Sequence, residues 1–517
     1  MASALLKDLS HFQVVGIAAA LVVTAFVLSR LYSASTSPLR SLPGPWLSHF
    51  TNQQLKSAVT GGRRIFYIDQ LHKKYGPVVR ISPDEVAIYD VEGFRKIHAV
   101  SGGFTKGDFY TKLTNFPRHS VFTLRDPKSH GVRRRLFARG FSKTYLRDNW
   151  EKIVREKVQL CVDKISGDAK KHGGKVDIFE WWSLMGADIV GCLCFGESFG
   201  MLELGHRSEY IRILELALVG NGIGAEHPWM RAVLSRLPIK PLKEMFNSTN
   251  YVLSHGLVAV ENAKKAKEEG RDTNLMVTVI KESEQEGGGK AALDDIDVQV
   301  EATSLIFAGS GTTANTLTFI IWNILSRPEL RRSLEKELST LPEDFKDADL
   351  EALPLLNAVI NETLRLYAAV PGSLPRVVPA SGVTIAGHYL PPGTTVSTQA
   401  WTYHRDERLY SNPLEFNPSR FLDDVSGSTA DPKAARATNS AFGAGAYTCL
   451  GIHLAYMELR YGVAMFMIQC RNTTLAEGQP ALDEKQLVNY FVITPKAKKL
   501  MVQVGRPTLD RSPSSLV

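Results

Sequence analysis

Phe442-Gly443-Ala444-Gly445-Ala446-Tyr447-Thr448-Cys449-Leu450-Gly451 runs straight into an apolar segment, Ile452 to Ile468, that reads as a helix. A lone cysteine thus closes a glycine-rich loop at a helix start. Glycine lets the backbone curl tightly and approach a flat ligand with no side chain in the way. Backbone N–H groups and the positive dipole end at a helix N-terminus favour an anion, so Cys449 is expected as a thiolate, and a thiolate can bind a metal. On these residues alone a structural free cysteine near a helix start is the plainer explanation.

The stretch resembles the haem-ligand loop of the cytochrome P-450 family, Phe-x-x-Gly-x-Arg/His-x-Cys-x-Gly, with Phe442, Gly445, Cys449 and Gly451 in register. The resemblance implies haem b as cofactor, with Cys449 as the iron ligand. Tyr447 departs from the pattern. The family has a basic residue there against a haem propionate, whereas tyrosine offers one uncharged hydrogen bond. Haem anchoring must then lean on other cations.

Working outward, His130-Gly-Val-Arg133-Arg134-Arg135-Leu-Phe-Ala-Arg139 looks helical, which puts His130 and Arg134 one turn apart on one face, able to grip a carboxylate. A solvated basic helix would read the same. The family places Trp or His four residues before Arg here, donating to a propionate, and both positions match. Arg135 and Arg139 form a second pair one turn apart whose repulsion an acidic partner would relieve. The resemblance puts this neighbourhood on the surface that receives an electron-donor protein. Arg376, before a strand-like stretch, matches an arginine that the family often sets against a propionate and could compensate for Tyr447.

Asp294 or Asp295 can cap a long helix that follows the Gly287-Gly288-Gly289 loop and continues to Leu325, with Pro328 as the next boundary. Its centre, Ala308-Gly309-Ser310-Gly311-Thr312-Thr313, is small enough for a planar cofactor to reach the backbone. Close packing of two helices explains the same residues. Thr312 can bond the carbonyl of Ala308 or release it. The family pattern is Ala/Gly-Gly-x-Asp/Glu-Thr, which makes Thr312 the residue that helps deliver protons to bound dioxygen. Gly311 stands where that pattern has its acid.

Leu353 to Tyr367 has helical periodicity and carries Glu362-Thr-Leu-Arg365 with both charges on one face. A surface ion pair is one explanation. The family's Glu-x-x-Arg pairs with a later arginine to brace the ligand loop, and Asn417-Pro418-Ser419-Arg420-Phe421 supplies it here. A buried Glu362–Arg365–Arg420 network would be architectural.

The remaining chain is consistent with one large unit. Its 517 residues, 44% hydrophobic and 22% charged, have an ordinary globular balance, and its net charge is +8. Five cysteines without paired spacing read as free thiols of a reducing compartment. Phe12 to Leu28 is uncharged and just long enough to span a bilayer. Arg30 and Arg40 follow it while Lys7 is offset by Asp8, which puts the body in the cytosol. We therefore expect a lumenal N-terminus (1–11), a single-pass endoplasmic-reticulum anchor (12–31), a proline-rich hinge (32–45) and a cytosolic haem-thiolate domain (46–517).

Pro77 to Tyr89 reads as a hairpin and Gly382 to Thr398 as a second strand-rich part. Most of the rest reads as amphipathic helix, giving a mainly α protein with small β-sheets. Met201 to Tyr251 shows no clean helical period and is expected as a mobile substrate lid. Ser101 to Asp126, with Phe104, Phe109, Tyr110, Phe116 and Phe122, resembles the loop that roofs the family's pocket; ordinary core would use the same aromatics.

The resemblance covers nearly the whole chain and implies the family's triangular fold, with haem between the long helix and the Cys449 loop. It further implies a monooxygenase that uses O2 and electrons from NADPH, through a flavoprotein reductase, to hydroxylate or epoxidise a hydrophobic small molecule. Small details such as Leu42-Pro-Gly-Pro-Trp46 are similar to membrane-anchored filamentous-fungal members, whose substrates are secondary metabolites: terpenoids, polyketides or alkaloids. No nucleic-acid partner and a monomeric catalytic unit are expected. Gly311 keeps open a haem-thiolate isomerase or dehydratase that needs no external electrons, and a haem-binding sensor without turnover is the reading from another class.

Overall fold

A computed structural model describes residues 11–114, 116–270, 274–285, 293–422 and 429–505. Residues 1–10 and the Gly287–Gly289 loop lie outside them. The first helix, α1 (His11–Thr36), is apolar, exposed nearly to its end, where Ala34 is buried, and long enough to cross a membrane. It continues past the expected end at residue 31, so Arg30 is inside the helix. The proline-rich hinge is correspondingly short, and it is packed: Leu39 and Leu42 are buried against a small β-sheet.

That sheet has the order β1-β2-β5-β4-β3, where β1 is Val78–Arg80, β2 Glu85–Ile88, β3 Thr105–Lys106, β4 Arg376–Val377 and β5 Thr395–Ser397. β1 and β2 form the expected hairpin, Val78 opposite Ile88 and Arg80 opposite Val86. β2 and β5 run parallel, and the other pairs are antiparallel. In the pair β3–β4, Lys106 faces Arg376.

The rest is mainly helical. Asp126 caps α2 (Pro127–Ala138), accepting from the Ser129 N–H at 2.8 Å, and Pro127 occupies the first turn, where its missing N–H costs nothing. Two long helices, α3 (Glu151–Lys171) and α4 (Ile178–Phe195), enter the main core with Val158, Trp182 and Leu193.

Although its sequence shows no clean helical period, Met201 to Tyr251 is largely helical, chiefly α5 (Glu209–Glu226) and the start of α6 (Lys240–Glu268). Two of the glycines that blurred its period, Gly220 and Gly224, serve close packing. A Cβ at Gly220 would overlap the Met245 carbonyl oxygen, so α5 and α6 touch backbone to backbone there.

Asp294 caps α7 (Asp295–Leu325), accepting from the Asp297 N–H at 2.9 Å, and Pro328 opens the next helix. α7 crosses the core against α4, α6, α8 (Pro354–Leu366) and α9 (Ile452–Gln469). Both α4 and α7 are apolar and long enough to span a bilayer, but they are mostly buried in the body.

Candidate functional site

The 442–451 loop is shaped by its glycines. Gly443 and Gly445 have φ of +79° and +65°, the left-handed region, and a Cβ at Gly445 would overlap the His98 carbonyl oxygen. The Cys449 N–H donates to the Phe442 carbonyl at 2.7 Å, closing the loop. Phe442 packs on Tyr456 of α9 with ring centroids 5.5 Å apart. Gly451 lies directly before α9, and a Cβ there would sit in ordinary contact with the Cys449 Sγ, 4.0 Å away.

Cys449 forms part of the wall of a cavity of about 310 Å³, so its accessible surface faces an interior space. Burial pushes its thiol up, while the Gly451 N–H and the Arg134 guanidinium pull it down. The upward effect wins. Bonding to a metal is what would hold such a buried sulfur as a thiolate.

Across the cavity α7 presents Ala308, Gly309, Thr312 and Thr313. The Thr312 hydroxyl donates to the Ala308 carbonyl at 2.8 Å, and the helix is unbroken there. The two glycines of the patch differ in their surroundings. A Cβ at Gly309 would strike Val190 of α4, so Gly309 serves packing, whereas one at Gly311 would meet nothing within 4 Å. Glu458 of α9 also reaches the cavity; it is buried, and burial raises its carboxyl to about 8.

A cluster of basic groups lines one side. His130 and Arg134 share a face of α2 as expected, and both reach the cavity with Arg376. Arg376 is buried, donates to the Tyr110 hydroxyl at 2.8 Å, and leaves its Nε with no partner. The sequence reading missed Lys106, which is 3% exposed on the neighbouring strand. Burial, then Arg376 and Arg134, lower its ammonium to about 7. The same surroundings, with burial foremost, lower His130 to about 4, so it is a neutral hydrogen-bonding ring and not a second cation. Tyr447 sits among them: its ring centroid is 4.7 Å from that of His130, 4.8 Å from the Lys106 Nζ and 4.7 Å from the Arg376 Cζ.

The neighbouring arginines part: Arg139, just past α2, turns outward, and Arg133 turns in toward α7. Arg139 pairs with Glu282 at 3.1 Å, which supplies from within the chain an acid that the Arg135/Arg139 repulsion called for. Arg133 pairs with Glu301 of α7 at 2.9 Å.

The distal part of the cavity is aromatic. Phe109, Phe116 and Phe122 of the expected roof reach it, while Phe104 is buried in the core beside the sheet. Phe491, which no motif marked, gathers the rings: its centroid lies 6.1 Å from Phe109, 6.1 Å from Phe122 and 6.5 Å from Phe307. Val370 and Leu374 also reach the cavity, as expected.

Glu362, Arg365 and Arg420 meet as expected and are buried. Arg365 forks onto Glu362 and also donates to the carbonyls of His404 and Pro413 at 2.6 and 2.7 Å. Arg420 reaches Glu362 at 3.3 Å. His404, a residue with no sequence signal, carries the brace to the loop. Its Nδ1 bonds the Arg365 carbonyl at 2.9 Å, and its Nε2 accepts from the Ser440 N–H at 3.1 Å. All five cysteines are free thiols.

The sequence profile of the cytochrome P450 family matches residues 42–502. Among curated relatives, cytochrome P450 monooxygenase tazI of Aspergillus terreus is 36% identical over 488 residues, covering 94% of this chain and 98% of that protein. Cytochrome P450 monooxygenase stcB of Emericella nidulans is 38% identical, covering 88% of this chain and 86% of its own length. The methylphloroacetophenone oxidase of Cladonia uncialis is 32% identical over 74% of this chain and 86% of that protein. With the profile matched from the hinge to the last strand and similar monooxygenases aligned along nearly all of it, the chain belongs to the cytochrome P450 family and is an oxidoreductase of the monooxygenase kind.

Proposed function

We propose that this monooxygenase holds haem b in the cavity between α7 and the 442–451 loop, with Cys449 as the residue that would bind its iron as a thiolate, and oxidises a bulky hydrophobic metabolite. One observation carries this reading: a single cavity has Cys449 in one wall, Thr312 in the facing helix, and Lys106, Arg134 and Arg376 together at its side. The residues fit the group. Haem brings two carboxylates; Arg376 has an orphaned buried Nε, and Arg134 has no ion-pair partner among the described residues. A dianionic, otherwise apolar ligand satisfies both, and the glycine-lined loop admits a flat one.

Bound there, a haem with a thiolate ligand supplies the activation of dioxygen that puts one oxygen atom into a C–H bond or across a double bond. Arg134, Arg376 and the neutral His130 hold the carboxylates. The Tyr447 hydroxyl adds a neutral bond, and Phe442, Gly445 and Gly451 shape the seat. Glu362, Arg365 and Arg420, through His404, fix the start of the ligand loop. Thr312 can turn its hydroxyl from the Ala308 carbonyl into the cavity and pass a proton there from ordered water, because Gly311 supplies no acid. The phenyl rings around Phe491 keep water out and suit an aromatic substrate. One relative is named for oxidising methylphloroacetophenone, so among terpenoids, alkaloids and polyketides the aromatic polyketide class is favoured.

Helix α1 would anchor the chain in the endoplasmic reticulum with residues 46–517 on the cytosolic side, where a flavoprotein reductase passes on electrons from NADPH. Gly311 is the observation that favours the electron-independent isomerase or dehydratase reading, and dependence of turnover on NADPH and reductase separates the two. The deciding experiment is the carbon-monoxide difference spectrum of the reduced protein beside Cys449→Ala. A long-wavelength Soret band lost in the variant supports haem-thiolate ligation; a histidine-type band in the wild type sinks it.

A further inference from the structure

The aromatic cavity also has a polar end. Helix α7 sends the hydroxyls of Ser304, Thr312, Thr313 and Thr316 to its wall, and three of them are already engaged. Thr312 and Thr316 donate to carbonyls one turn back, those of Ala308 at 2.8 Å and Thr312 at 2.9 Å, and Thr313 bonds the Glu458 carboxyl. The Ser304 Oγ is buried and has no partner among the described residues. Thr303 beside it donates to the Gln299 carbonyl at 2.8 Å, so Ser304 forgoes the backbone bond that a helical hydroxyl ordinarily takes.

Asn221 of α5 and Thr249 of α6 reach the same cavity. They are 5% and 6% exposed, and neither hydrogen-bonds to another described residue. Asn221 follows Gly220, where α5 touches the Met245 carbonyl, and Thr249 is one turn beyond Met245. α6 then meets α7 at Gly256, where a Cβ would stand 2.8 Å from the hydroxyl of Thr303, the residue before Ser304. An amide and two hydroxyls without partners in a pocket of phenyl rings are costly until something hydrogen-bonds them. None of the three is charged, and each can donate and accept, which suits a hydroxyl or ketone oxygen and not a carboxylate.

Ser304 precedes Thr312 by a little over two helical turns, about 12 Å along α7. An oxygen held at about 3 Å from Ser304 leaves roughly 9 Å of ligand before the Thr312 wall. We infer that Asn221, Thr249 and Ser304 form the hydrogen-bonding end of the substrate pocket, and that the substrate is a neutral aromatic molecule carrying a hydroxyl or ketone oxygen at the end remote from the atom oxidised. This deepens, and rests on, the reading of the cavity as the site of oxidation. The three side chains decide which way round a flat ring system enters, so they set the position of oxidation as well as affinity.

The test uses the full chain in detergent, loaded with haem b, and two probes of one shape. 6-Methyl-2-naphthol has its hydroxyl and methyl at opposite ends, and 2-methylnaphthalene lacks the oxygen. By equilibrium dialysis, Ser304→Ala and Asn221→Leu should each weaken the naphthol about 3- to 10-fold, the range of one neutral hydrogen bond, and leave the hydrocarbon within about twofold of wild type. Relaxation of the bound naphthol's protons by ferric iron reports its orientation. In wild type the methyl protons should relax faster than those flanking the hydroxyl, and Ser304→Ala should shrink the contrast. Equal losses for both probes, no loss for either, or a hydroxyl end that relaxes faster than the methyl each overturns the inference. No loss for either is the result if these side chains merely hold water.

Ser304→Ala removes a hydroxyl that bonds nothing in the protein, so it should melt with the wild type or above it; a lower melt would make Ser304 structural and overturn its role here. Should Asn221→Leu fail to fold, Ser304→Ala beside Thr249→Val makes the same comparison. A wild type without the long-wavelength carbon-monoxide band sinks the proposed thiolate ligation, and dialysis of the two probes still decides this inference. A wild type with that band, whose variants hold the naphthol undiminished, sinks this inference alone.

Discussion

Arg365 clamps Glu362 with two hydrogen bonds, Nε to Oε2 at 2.7 Å and Nη2 to Oε1 at 2.8 Å, and neither side chain has any solvent exposure. The same guanidinium satisfies the His404 and Pro413 carbonyls, and Glu362 also accepts from the Asn417 N–H at 2.8 Å. Removing either partner leaves a buried charge and several orphaned backbone groups. Arg365→Ala should therefore lose on the order of 3–5 kcal/mol, enough to abolish folded protein in many domains. Soluble yield and thermal unfolding check this, and a variant melting with the wild type would show that the brace is dispensable.

Gly309 and Gly311 are two residues apart on α7 and should answer alanine in opposite ways. At Gly311 the new methyl meets open space, and alanine in a helix interior gains roughly 0.5–1 kcal/mol over glycine. At Gly309 it enters the space of the Val190 side chain, an overpacking that costs about 1–3 kcal/mol. Chemical denaturation of the two variants should bracket the wild type; the same sign for both would refute the division of the patch into a packing glycine and an open one.

How far the sequence could be read follows from where each signal lies. Cys449, Thr312, Glu362 and Arg365 sit in short local patterns, so their spacing carried them. The hairpin at Val78–Ile88 and the cap at Asp294 were equally local. Lys106, Phe491 and His404 are brought to the site by pairings with residues far along the chain, Arg376, Phe122 and Ser440, and no window of neighbours contains that information. The helices of 201–251 were hidden for another reason: glycine weakens a helical pattern locally, while contact with α6, as at Gly220, decides whether the helix forms.

The short linker after α1 gives a sharp boundary for truncation. Removing residues through Thr36 should release the chain from membranes without unfolding it, because α1 is exposed nearly to its end. Removing residues through Gly44 deletes Leu39 and Leu42, each about 1.5–3 kcal/mol of burial, and the 2.8 Å bond from the Arg80 N–H to the Pro43 carbonyl. The shorter form should melt well below the longer one. Coincident melts would mean that the linker is no part of the body.

Glu301 ties the roof to the long helix, accepting from Val121 N–H at 2.8 Å and Arg133 at 2.9 Å with no solvent exposure, and it makes stability depend on pH in a definite direction. Burial raises its carboxyl to about 7, against the pull of Arg133, with Asp297 adding to the rise. The folded value lies above the unfolded one, so the folded chain binds the extra proton between about pH 4.5 and 7. The stability this group contributes is present below that window and lost as pH rises through it, up to roughly 3 kcal/mol. His98, His130 and His404, buried and held low, act in the opposite direction over part of the same range, so the wild-type curve mixes the effects. Glu301→Gln isolates the carboxyl, because glutamine still accepts from Val121 and does not titrate. The variant should gain on the wild type as pH is raised from 5 to about 8. A difference between the two that does not change across that range would mean that Glu301 keeps its charge throughout, fixed by Arg133.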